Sequence, residues 1–125
     1  MKNAYIVSLS VTLALMGAVY LAAPATWLGT LGVQISDPSV MNMIRSVGGF
    51  YLGFAVFLLL AARKEGGTDL ALVAAPLAMA GLILGRATAI LADGMPDRSV
   101  LAAGVVELAF AIWGVTLNAR KSWHV

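Results

Sequence analysis

Arg45, Arg86 and Glu107 stand out because they are the charged residues that fall well inside long apolar runs. A guanidinium offers a planar fork of N–H donors and a carboxylate offers two acceptor oxygens. Such groups can close a bidentate ion pair or, with a cation to spare, hold an anion. Charge at membrane depth is costly, so it normally faces a bundle interior and has a partner. Two arginines and one glutamate leave one positive charge over. One reading is a salt-bridge network that fixes helix register, with Asp93 neutralising the second arginine. The other is an anion site for a lipid phosphate, a carboxylate or a quinone oxygen. In both, Glu107 meets Arg86, Arg45 or both, and the cluster is buried.

Helical spacing puts these charges beside small residues. Arg45, Gly49 and Gly53 recur every four residues. Gly81, Gly85 and Ala89 run beside Arg86, and Ala103, Glu107 and Ala111 share a face close to Gly104 and Gly114. Small residues let helices approach closely in lipid. Gly49/Gly53 and Gly81/Gly85 are therefore expected to pack helices within the chain rather than to form a dimer face. Tyr51 falls off the Arg45 stripe and reads as packing. Ser8 and Thr12 are one turn apart, and their hydroxyls are expected to bond back to their own helix.

Other chemistry lacks its residues. The chain has no cysteine and one histidine, His124, in its tail. There is no Ser-His-Asp set, phosphate-binding glycine loop or pair of carboxylates. No catalysis, no cofactor and no metal are expected, and no nucleic acid is a partner.

Four long helices must position the charged residues. Of 125 residues, 61% are hydrophobic and 11% charged, against about 25% charged in a soluble domain. A bilayer core takes about 20 apolar residues in a helix. The runs span about residues 4–23, 41–62, 69–92 and 99–119, in a single domain over 1–125. The first run also resembles the apolar part of a secretory signal peptide, with Ala-Ala-Pro-Ala after it, but its length favours a retained helix. Pro24 closes the first run, and Arg63-Lys64-Glu65-Gly66-Gly67 closes the second. Thr68 or Asp69 is the expected N-cap of the third run. Pro76 should kink that helix or free a carbonyl. Asp93-Gly94-Met95-Pro96-Asp97 is a tight turn. Residues 25–31 are apolar enough for a short surface helix, read as an interface anchor rather than a ligand lid.

Lys2, Arg63, Lys64, Arg120 and Lys121 lie on one side of these spans. The other side has Arg98 alone, with Asp37, Asp93 and Asp97. The positive-inside rule puts both termini in the cytoplasm. Tyr5 and Trp123 suit the inner interface, Tyr20 and Trp27 the outer one. The expected fold is all-α: an antiparallel bundle of four transmembrane helices, N-in and C-in. The termini and the Arg63–Thr68 turn are expected to tolerate change best.

The segments Arg45-Ser46-Val47-Gly48-Gly49-Phe50-Tyr51-Leu52 and Gly85-Arg86 through Asp93-Gly94-Met95-Pro96, with Glu107 on the last helix, resemble an uncharacterised family of bacterial four-helix membrane proteins. That family looks broadly similar to the DoxX and DoxD group. The resemblance implies a four-helix inner-membrane bundle with Arg45, Arg86, Asp93 and Glu107 as signature positions. It supplies no activity. The DoxX association with quinone-linked redox systems is analogy at the level of fold.

The expected function is therefore a small non-enzymatic protein of the bacterial inner membrane. It is read as an accessory subunit of a larger membrane complex or a binder of a lipid-like anionic molecule. Its partners are membrane lipids and a protein within the membrane, and oligomers are compatible with the pattern. The alternatives are a DoxX-like part of a quinone-linked redox system, which would borrow its metal or haem from a partner, and a small dimeric transporter using Glu107.

Overall fold

A computed structural model describes residues 1–96 and 98–120, without the side chains of Ser39, Asn42, Ala89, Asp93 and Ser99. Its elements are α1 (Lys2–Ala22), α2 (Pro24–Thr30), α3 (Pro38–Ala62), α4 (Gly67–Asp93) and α5 (Arg98–Ala119). No strand occurs among the described residues. Four of the helices are long and apolar enough to cross a membrane, which makes this a multi-pass membrane protein. Their outward residues fit that solvent: Leu84 is 68% and Leu91 89% exposed. Isolated exposed leucines are ordinary, but they recur along all four long helices, as apolar surface meant for lipid does.

The chain divides into two compact units, residues 7–60 and residues 1–6 with 61–125. In the first unit, α1 and α3 meet backbone to backbone. A Cβ added at Gly17 would lie 2.7 Å from the Gly48 carbonyl oxygen and 2.9 Å from the Leu52 nitrogen. Gly48 is closed in return, 2.7 Å from the Tyr20 Cβ. Tyr20 and Tyr51 pair beside this contact with centroids 6.0 Å apart. Tyr51 therefore packs, as its place off the Arg45 stripe suggests. The Thr12 hydroxyl donates to the Ser8 carbonyl at 2.9 Å, the intrahelical back-bond expected of a hydroxyl in an apolar helix.

Helix α2 is the short helix foreseen over residues 25–31. Pro24 sits in its first turn, where a missing N–H costs nothing. It ends in a Schellman motif: the Val33 amide donates to the Leu28 carbonyl and the Gly32 amide to that of Gly29. Gly32 takes the left-handed φ of +76° that this ending requires.

In the second unit, α4 and α5 pack against each other across the short turn that begins at Gly94, whose φ is +96°. Helix α4 is capped two or three residues earlier than Thr68 or Asp69, the expected caps. Gly66, left-handed at φ +71°, is the N-cap and makes no side-chain bond; Asp69 lies in the first turn. The turn before α4 is also tighter than its hydrophilic sequence implies. Its amides bond Lys64 to Ala61 and Gly67 to Lys64, and a Cβ on Gly67 would run into the Ala61 carbonyl. Within this turn, the tight fit falls on Gly66 and Gly67 rather than on residues 63–65. Pro76 stays inside a continuous helix. Its ring is seated on α5, where a Cβ at Gly114 would come within 2.5 Å of the proline Cγ.

Tyr5 corrects another expectation. It is not an interfacial anchor but fully buried, edge-on to Trp113 at 5.3 Å and tilted against Phe110 at 6.1 Å. Aromatic burial of this kind outweighs interfacial placement, because one ring removes a large apolar area and gains edge-to-face contact. Trp27 is half-buried. Trp123 and His124 lie outside the described residues.

Candidate functional site: an arginine–glutamate fork on an apolar groove

Arg86 is carried by α4 seven residues before its end, and Glu107 by α5 nine residues after its start. At about 1.5 Å of rise per residue, the two reach nearly the same level of the hairpin. Side chains of Arg and Glu then bridge what is left. Arg86 Nε donates to Glu107 Oε2 at 2.5 Å and Nη2 to Oε1 at 2.6 Å. This is the parallel two-bond fork, the strongest geometry open to the pair. Arg86 is engaged beyond this fork as well. The side chains are 31% and 13% exposed, so the pair is half-buried rather than sealed in a core.

Gly104 makes room for the fork. A Cβ there would lie 3.2 Å from the Arg86 Cδ, so the arginine stem lies across α5 at a point where that helix has no side chain. Alternation of Gly104 and Glu107, one turn apart, provides first the seat for the stem and then the acceptor for its head.

The fork borders a groove of about 510 Å³ between α4 and α5, within the usual size of small-molecule sites. Ile83, Ile90, Met95, Leu101, Val105 and Leu108 are among its walls, and among the described residues Arg86 is its one charged side chain. Such a wall takes up hydrocarbon, and the guanidinium gives it a polar point. The groove runs to the turn at Gly94–Pro96, so its polar wall and its end at the turn are both products of the α4–α5 hairpin.

Arg45, exposed on α3, donates through Nη1 to the backbone carbonyl of Leu21. That carbonyl lies in the last turn of α1, where helix carbonyls lack an intrahelical partner and a cation is favoured by the helix dipole. Arg45 therefore has a partner of its own in its unit without a carboxylate, a possibility that an inventory of opposite charges overlooks. The side chain of Asp93 lies outside the described residues.

Within their own units, Gly49, Gly53, Gly81 and Gly85 do not close a helix contact. A Cβ added at any of them would meet nothing within 4 Å. The contacts are made instead by Gly17, Gly48, Gly104 and Gly114. The reason is angular: Gly48 and Gly49 are adjacent in sequence but about 100° apart on the helix, so only one can face α1. Spacing by four identifies a stripe without telling which neighbour the stripe faces. Gly17 carries no such spacing signal, and Gly104 enters the pattern only as a neighbour of Glu107.

The chain belongs to the family described as Domain of unknown function (DUF4345), which it matches over residues 1–118. No curated protein and no solved structure matches it. Membership supplies no activity and no tie to DoxX or DoxD proteins.

Proposed function

We propose that this member of the DUF4345 family is a non-enzymatic membrane protein that holds a lipid-like molecule in the α4–α5 groove, beside the Arg86–Glu107 fork. The observation that carries this reading is a groove of ligand size whose described lining is apolar apart from Arg86. A pair needed only for helix register has no use for a groove along its side.

The same proposal places the protein in the bacterial inner membrane with both termini in the cytoplasm, on the strength of its basic residues. The fork then belongs to the outer half of the membrane, as part of an antiparallel four-helix bundle. Native mass spectrometry of the protein extracted in mild detergent tests the reading. The expected spectrum shows a bound amphiphile on the wild type. A bare mass, with none recovered by lipid extraction, counts against it.

A second reading is the accessory subunit of a larger membrane complex. It is favoured by α3, where Phe50, Phe54 and Phe57 stack in sequence at 6.0 and 5.8 Å beside the open Gly49/Gly53 stripe. A partner helix could use that surface. The quinone-linked alternative rests on the DoxX likeness alone, and the transporter alternative on Glu107, whose carboxylate is engaged in the fork.

A further inference from the structure

We propose that the α4–α5 groove is a ruler for one hydrocarbon chain of a single leaflet, about thirteen carbons long. The head of the amphiphile stands at the Gly94–Pro96 turn, and its methyl end lies beside the Arg86–Glu107 fork. The inference rests on the reading that this groove holds a lipid-like molecule. It assigns the length and direction of the chain, and it makes the fork a neighbour of the tail instead of the head.

The two ends of the groove differ. One end is the turn, through Gly94, Met95 and Pro96, where the apolar spans stop at Ala92 and resume at Val100. The other end is set by Ile83 on α4 and Leu108 on α5. One turn further along the same faces stand Met79 and Ala111, 2% and 8% exposed. Beyond them the Pro76 ring is seated at Gly114. The groove is therefore open at the turn and floored inside the span. Gly94 and Ile83 are eleven residues apart on α4, about 16 Å at about 1.5 Å of rise per residue. That is close to half of a bilayer core of about 30 Å, the depth of one leaflet. An extended chain with carbon–carbon bonds of about 1.5 Å at about 111° advances about 1.25 Å per carbon, so about thirteen carbons fill this length. Arg86 lies eight residues below Gly94, about 12 Å down. An amphiphile whose head stays level with the other heads of its leaflet thus meets the fork with its tail. The fork suits such a neighbour. Both Glu107 oxygens are bonded to Arg86, Arg86 is engaged beyond the fork as well, and its stem lies over Gly104. A hydrocarbon chain asks no hydrogen bond of it.

A chain-length series tests this on the intact protein by native mass spectrometry. The detergent micelles carry an equimolar mixture of saturated lysophosphatidylcholines with even chains from ten to eighteen carbons. The wild type is expected to retain the twelve- and fourteen-carbon species at least about fivefold over the eighteen-carbon one, the lower end of what overfilling a packed site costs. Ile83→Trp and Leu108→Trp each raise the floor by about one turn, or about four carbons, and are expected to move the optimum to the shortest chains. Direction is read separately with a bimane label on a single cysteine at Val100 or Leu108, since the chain has no native cysteine. A tetradecanoyl probe brominated at its chain end is expected to quench the label at Leu108 more than the label at Val100. Equal retention of all chain lengths by the wild type overturns the ruler and leaves the lipid-binding reading intact. An optimum that neither Trp variant moves overturns the location, and quenching in the opposite order overturns the direction. A lipid-free dimer would give the groove to a second copy of this chain, and a bare monomer would remove both the inference and the reading beneath it. Should neither Trp variant fold, the wild-type length preference and the quenching order still decide.

Discussion

Glu107 and Arg86 illustrate how far chemistry can be read from residue types alone. Isolated charges on two helices at matching depth had to meet, because each would be costly alone, and they meet as a fork. What the residue types could not tell was that a backbone carbonyl would serve Arg45, since every helix end offers acceptors that no sequence motif marks. Removing one member of the fork strands the other. With Arg86 about one-third exposed, the loss should be roughly 1–3 kcal/mol, below the roughly 3–5 kcal/mol of a fully buried pair. Glu107→Gln and Arg86→Gln should each lower the melting temperature in detergent, and the double variant should recover part of the loss. Strictly additive losses would show that the two do not interact. Gly114 makes a second prediction at this scale. Its missing side chain is what admits the Tyr5 hydroxyl and the Pro76 ring to α5. Gly114→Ala should therefore destabilise by about 1–3 kcal/mol, as overpacking does, despite the better helix propensity of alanine. An unchanged or higher melting temperature would place Tyr5 elsewhere.

At the scale of elements, the long helices were legible to within three residues at either end. Runs expected over 41–62 and 99–119 fold as 38–62 and 98–119, because an apolar run of bilayer length bounded by glycine, proline and charge has few alternatives. Faces were less legible. Spacing by four drew attention to Gly49, Gly53, Gly81 and Gly85, yet Gly17 and Gly48 close the contact of α1 with α3. Composition that is apolar all round a helix hides which side is inside. The groove was equally hidden, since its lining is made of residues that would serve as well against lipid. A pair of neighbouring substitutions separates the two glycine classes. Gly48→Ala should destabilise markedly, because its Cβ has no room beside Tyr20. Gly49→Ala should be neutral or gain up to about 1 kcal/mol from helix propensity. Thermal melts of both variants in detergent check this, and a reversed order would contradict the α1–α3 contact. A severe loss at Gly49 in membranes but not in detergent would point to a partner helix on that face.

For the whole molecule, the proposed orientation rests on five basic residues on one side of the spans and Arg98 on the other. The absence of native cysteine makes single-cysteine labelling clean. A cysteine at Asp37 should react with an impermeant reagent from outside intact cells, and one at Thr68 only after the membrane is opened. Labelling in the opposite sense would invert the account of depth given for the fork. The central claim, that the α4–α5 groove is occupied by a selected amphiphile, is tested most directly by a photoreactive side chain placed at Val105 or at Val106 in living membranes. Val105 lies on the groove wall, and Val106, next to it on α5, is exposed and outside the groove lining. After irradiation, mass spectrometry of the adducts reads what each position touches. The account predicts one enriched lipid-like species at Val105 against a bulk-lipid mixture at Val106; the same mixture at both positions would contradict it.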